Sequence, residues 1–147
     1  MKIIVIDGQG GRMGSLIIEK IKASGITEPV IAIGTNSLAT SSMLKAGADR
    51  AATGENPVIV NCRDAHIIIG PIGIIAADSL LGEITPAMAN AVSSCAAYKI
   101  LIPTNRCNHY IAGIKDVPLS ELVGSAVSKL KEELANAPSQ LRNSSDC

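Results

Sequence analysis

Eight consecutive residues near the N-terminus, Asp7-Gly8-Gln9-Gly10-Gly11-Arg12-Met13-Gly14, combine the groups from which anion sites are built. Glycine lets the main chain turn tightly and lets a phosphate approach bare N–H groups, and a helix that starts there adds the favourable end of its dipole. The implied chemistry is the binding of a pyrophosphate or another small phosphorylated group. Asp7 opposes it, because a carboxylate at the mouth of such a loop repels the ligand unless it faces away or meets a metal. The expectation is that Asp7 accepts hydrogen bonds from the turn's own backbone. Arg12 reads either as a phosphate contact or as a solvated side chain.

Three further segments carry polar or turn chemistry. Gly34-Thr35-Asn36-Ser37 falls where nicotinamide-dinucleotide proteins place an acid for the ribose hydroxyls, about 20 residues after the glycines, yet no acid occurs before Asp49. NAD is therefore disfavoured and NADP is predicted, its 2′-phosphate held by Thr35, Asn36 and Ser37 at a helix N-terminus. The competing reading is that Asn36 and Ser37 only cap that helix. Gly70-Pro71-Ile72-Gly73 has no ionisable group, and Gly70, Pro71 and Gly73 are predicted to form a wall for the ligand. Pro103 to His109 is the densest polar run: Arg106 could clamp a carboxylate or phosphate, and Cys107 or His109 could transfer protons or attack. A cysteine beside an arginine is more acidic than usual, but with no third orienting residue in view a structural role competes. Asp78 and Glu83 are the only charges between Ile74 and Ala97; they cap helices or project into a pocket, and capping is expected for Glu83.

The elements that position these residues follow from apolar periodicity. Ile3 to Ile6 is a continuous β-branched run, as in a strand buried on both faces. Met13, Leu16, Ile17 and Ile21 then recur at helical spacing until Gly25. Val30–Ile33 reads as a second strand, followed by a helix capped at Asn36 or Ser37 and closed by Gly47. A short strand at Ala51–Ala52, a helix admitting Pro57 in its first turn, and a buried strand at Ile67–Ile69 come next. Gly82 and Pro86 divide residues 74–97 into two helices. Ile100–Ile102 is another strand, Tyr110–Ile114 a last one, and Pro118 opens a helix whose stripe is Leu119, Leu122, Val123, Ala126, Val127, Leu130 and Leu134. The predicted fold is an open, mainly parallel, doubly wound α/β sheet, a Rossmann-like three-layer sandwich, over residues 1–135, with a mobile polar tail at 136–147.

Composition narrows the partners. The chain has 147 residues, thirteen Lys plus Arg against thirteen Asp plus Glu, and only two aromatic residues, Tyr98 and Tyr110. Zero net charge supplies no field for nucleic acid or an acidic membrane, and base stacking has almost nothing to use. The longest apolar stretch, residues 65–77, is interrupted by glycine and proline and falls short of the ~20 residues a bilayer span needs. Cys62, Cys95, Cys107 and Cys147 show no zinc-ligand spacing and no metal site is predicted; they are expected to be reduced thiols of a cytoplasmic protein. The scarcity of charge between residues 72 and 97 predicts a homodimer through that segment, or a pocket roof.

Gly11-Arg12-Met13-Gly14, three residues after Gly8 and opening a helix, resembles the N-terminal fingerprint of dihydrodipicolinate reductase, whose cofactor domain binds NADH or NADPH. That resemblance covers roughly the first 25 residues and implies that the backbone of Gly8 to Met13 holds a pyrophosphate. The substrate domain of that enzyme, with its His-His and Lys-containing motif, has no counterpart here, so its reductase activity is not implied. End to end, the chain is similar to a small uncharacterised bacterial family described as Rossmann-like and carrying only a domain-of-unknown-function label. The shared segments are Gly34-Thr35-Asn36, Ala46-Gly47-Ala48-Asp49, Gly70-Pro71-Ile72-Gly73, Gly82-Glu83-Ile84-Thr85-Pro86 and Asn105-Arg106-Cys107-Asn108. The expected function is binding of a nucleotide or dinucleotide, NADP before NAD, or of a related small phosphorylated ligand, at the carboxyl ends of the strands. Two alternatives stand beside it: a non-catalytic ligand-sensing or regulatory module, and a small hydrolase or transferase using Arg106 and Cys107.

Overall fold

The computed structural model describes residues 1–104 and 109–137. Five parallel strands, β1 (Ile3–Asp7), β2 (Val30–Gly34), β3 (Arg50–Thr53), β4 (Ile67–Pro71) and β5 (Tyr98–Ile102), form one sheet in the order β3-β2-β1-β4-β5. The helices are α1 (Arg12–Ala23), α2 (Ser37–Lys45), α3 (Glu55–Cys62), α4 (Pro86–Ser94) and α5 (Leu119–Asn136), with a short 3₁₀ turn at Ile72–Ile75. The order reverses at β1, which pairs with β2 on one side and β4 on the other. The crevice beyond the carboxyl ends of β1 and β4 is where doubly wound sheets take ligands.

The central strand shows why the layers form. Side chains alternate across a strand, so Ile3 and Val5 join the core beneath α1, α2 and α5, while Ile4 and Ile6 join the core beneath α3 and α4. All four are fully buried, and each isoleucine buried in this way contributes about 1.5–3 kcal/mol. Helix α1 buries Gly14, Ile17, Ile18 and Ile21 and ends before Gly25, whose φ of 80° provides the left-handed stop. Asn36 caps α2 by accepting from the Ala39 N–H at 2.9 Å, as one of the two sequence readings required. The α5 stripe is observed, with Val123, Ala126, Val127, Leu130 and Leu134 buried.

Two expected elements are absent. Residues 76–84 form turns, not a helix: Asp78, Leu80 and Leu81 have φ of 63°, 54° and 56° ahead of Gly82 at 86°. The Asp78 N–H donates to the Ile84 carbonyl at 2.7 Å, closing the segment on itself. Only α4 forms, capped by Thr85, whose hydroxyl accepts from the Met88 N–H. Tyr110–Ile114 is not a strand; Ile111 and Ile114 close a turn around Gly113, and no sheet edge receives it. The low charge of residues 72–97 also has an internal explanation, because Ile74, Ile84, Met88, Ala89 and Val92 all fill the second core. Helix α5 reaches Asn136, and residues 138–147 of the expected mobile tail lie outside the described residues. No helix among the described residues is long and apolar enough to cross a membrane.

Candidate functional site

Taking the glycine loop one main-chain amide at a time separates the groups that are satisfied from those that face outward. Asp7, at the end of β1 and nearly fully buried, accepts from the Gly8 N–H at 2.8 Å and the Gly14 N–H at 2.7 Å. This is the inward-facing role expected for it. Burial pushes its carboxyl above the usual 3.8, against the lowering effect of those amides, and the nearby Glu83 charge pushes the same way as burial. The Gly11 N–H closes the turn on the Gly8 carbonyl at 2.9 Å. The Gln9 N–H donates to the Glu83 carboxylate at 3.0 Å. Among the described residues the Gly10 and Arg12 amides have no protein acceptor, and they sit where α1 begins.

The glycines divide by function in the same way. Gly11 has φ of 71°, and a Cβ there would lie 2.7 Å from the Ala39 Cα and 2.8 Å from its carbonyl oxygen, so α1 and α2 touch backbone to backbone at this point. Gly14 lets α1 sit against Asp7 and Met43. A Cβ on Gly70 would meet the Ile6 carbonyl, so that glycine serves the close approach of β4 to β1. A Cβ on Gly10, by contrast, would meet nothing within 4 Å.

A cleft of about 610 Å³ opens beside the loop, at the β1–β4 reversal. It is lined by Asp7 to Met13 from the loop, by Pro71 at the end of β4 and Thr104 just after β5, and by His109, Tyr110, Ile111, Ile114, Lys115, Leu119 and Leu122 from the segment that leads into α5. The sequence-predicted Gly8, Gln9, Gly10, Gly11, Arg12, Met13, Pro71 and His109 are thus brought together. Gly14, Gly70 and Gly73 do not line the cleft, and Thr35, Asn36 and Ser37 lie off it, at the β2 exit. Arg106 and Cys107 lie outside the described residues.

Glu83 is the largest departure from expectation. It caps no helix. Its carboxylate reaches the β2 exit, accepting from the Thr35 hydroxyl at 3.0 Å and the Asn36 side-chain amide at 2.5 Å as well as from Gln9. A lone carboxylate in an apolar stretch was visible in the sequence, but its partners lie 47, 48 and 74 residues away and no local pattern encodes them. Asp49, the first acid after β2, serves the other end of the sheet, where it accepts from the Val30 N–H and the Lys22 ammonium.

The family profile described as "Domain of unknown function (DUF3842)" matches residues 2–135. The chain belongs to that family. The DUF3842 match agrees with the end-to-end resemblance read from the sequence and covers all five strands; it does not extend the loop's likeness to dihydrodipicolinate reductase. No curated protein matches this DUF3842 chain. One solved structure similar to it is a dodecameric FMN-dependent UbiX-like decarboxylase from Escherichia coli O157:H7, at TM-score 0.45 and 17% identity, covering 90% of this chain and 76% of that one. At that level the likeness transfers neither flavin nor reaction.

Proposed function

We propose that this DUF3842 domain binds a nucleotide or dinucleotide, its phosphate against the Gly10 and Arg12 amides, one nucleoside toward the β2 exit and, in a dinucleotide, the other in the adjoining cleft. The observation that carries the reading is the pair of amides at the start of α1 that have no acceptor among the described residues, opening beside Gly10 onto a cleft at the strand-order reversal. A cleft of that volume falls inside the roughly 300–1,000 Å³ range of small-ligand sites. Arg12 and Lys115 supply positive charge at its edges, and Ile111, Ile114, Leu119 and Leu122 supply an apolar wall for a ring. The expected NADP rested on Thr35, Asn36 and Ser37, but Thr35 and Asn36 already donate to Glu83. The residues present fit a phosphate at the loop; a 2′-phosphate has no comparable set of open donors.

Calorimetric and thermal-shift titration with ADP, NAD, NADP, FMN and S-adenosylmethionine tests the proposal, repeated on Gly10→Val, whose side chain enters open space and shields the two amides. At least one nucleotide is expected to stabilise the wild type and not the variant. Equal stabilisation of both proteins refutes the loop assignment. A homodimer through residues 72–97 remains part of the proposal, with Ile75 and Leu81 as its exposed apolar contacts; sedimentation of Leu81→Asp against wild type decides it.

A further inference from the structure

We infer that Glu83 is the ribose-reading acid of the site, so that it accepts nucleotides with a free 2′,3′-diol and rejects those carrying a 2′-phosphate. This rests on the nucleotide reading above and reverses the cofactor preference expected from sequence. In doubly wound sheets the ribose is held by a carboxylate at the carboxyl end of the second strand, whereas a 2′-phosphate needs a cation or open donors there. Gly34 to Ser37 contain no acid, and Asp49 is at the opposite end of the sheet. The turn after β4 delivers one instead: Glu83 crosses to Thr35 and Asn36, immediately beyond β2.

The two carboxylate oxygens are used unequally. Oε1 accepts from Thr35, Asn36 and, at 3.2 Å, the Gln9 N–H, which fixes the group in place. Among the described residues Oε2 has one protein donor, the Gln9 N–H at 3.0 Å, and keeps a lone pair for another. It also faces the glycine loop, since a Cβ on Gly8 would stand 3.5 Å from it. A hydroxyl on the β2 side of a loop-bound phosphate would find a carboxylate acceptor there. A 2′-phosphate would find instead a carboxylate whose neighbouring donors are taken, with Asp7 behind it, and two like charges brought together oppose binding.

Titration of the full chain with ADP, 2′-deoxy-ADP, NAD and NADP, with inorganic pyrophosphate as the phosphate-only probe, tests the inference without any mutation. A charge-assisted hydrogen bond corresponds to about a tenfold change in affinity, so ADP should bind about tenfold tighter than 2′-deoxy-ADP, and NAD at least about tenfold tighter than NADP. Glu83→Gln, which keeps the shape and removes the charge, should narrow the NAD-to-NADP ratio to within about threefold while leaving pyrophosphate binding in place. NADP binding as tight as NAD, or 2′-deoxy-ADP as tight as ADP, overturns the inference and leaves the nucleotide reading standing. Failure of pyrophosphate, ADP and NAD alike removes both.

Discussion

Gly11→Ala is the substitution on which the geometry of the loop is most exposed. The residue sits at φ 71°, and its added methyl would press to 2.7 Å and 2.8 Å on the main chain of Ala39, which cannot rotate away as a side chain would. A left-handed conformation costs an alanine about 1–2 kcal/mol, and overpacking of this kind typically costs a further 1–3 kcal/mol, giving about 2–5 kcal/mol. Against a total stability of roughly 5–15 kcal/mol that is a large fraction, and for a domain of this size it lowers Tm by roughly 4–20 °C. Gly10→Ala, one residue earlier, meets no atom and should stay within about 0.5 kcal/mol of wild type. Urea and thermal unfolding of the two variants side by side make the measurement. If Gly11→Ala unfolds within 1 kcal/mol of wild type, or if both variants fall together, the backbone contact between α1 and α2 is not as described. The contrast also decides which glycine suits binding studies: at position 11 a lost ligand could not be told from a lost fold.

Asp7 supplies a pH test with a definite sign. Its folded-state pKa lies above its unfolded value of 3.8, so its contribution to stability is fully present below that value and is lost as pH rises through the folded one. The pH dependence of the urea midpoint should therefore fall less over that window in Asp7→Asn than in wild type, and an unchanged slope refutes the assignment. Burial and the adjacent Cys95 push the Cys62 thiol up to about 12, which keeps it protonated; the thiolate is the reactive form. Iodoacetamide at neutral pH should accordingly spare Cys62 in the native protein and alkylate it in urea, as read by peptide mass spectrometry, and rapid native labelling contradicts the packing. Leu81 is 97% exposed in the single chain yet left-handed at φ 56°, so at dilutions where the protein sediments as a monomer Leu81→Gly should raise stability by about 0.5–1 kcal/mol through relief of strain. A decrease in the monomer would mean that the leucine packs against its own chain.

What the sequence revealed followed from rules that act over a few residues. The unbroken Ile3–Ile6 run announced a strand covered on both faces, and Gly25, Asn36 and Gly47 marked helix ends because left-handed stops and side-chain caps are local. The glycine loop was found for the same reason, and with it one wall of the cleft. Misreadings arose where distant contacts overrode local composition. Residues 76–84 looked helical as part of the charge-poor stretch 74–97, but Glu83 is drawn to Gln9, Thr35 and Asn36 and the turn folds left-handed to deliver it. Tyr110–Ile114 has strand-like composition but pairs with neither edge of the sheet; it folds into the turn around Gly113 and lines the cleft instead.

The position of β1 at the middle of the sheet has a consequence for how the chain is made. The Ile3 to Ile6 run is made well before its second neighbour, since one edge of β1 pairs with β4, and the Lys2 N–H waits for His66, 64 residues later. At roughly 5–20 residues per second of synthesis, that leaves Ile3 to Ile6 without their second neighbour for about 3–13 s. Truncations ending before residue 71 leave that edge of β1 unpaired and should accumulate as aggregates.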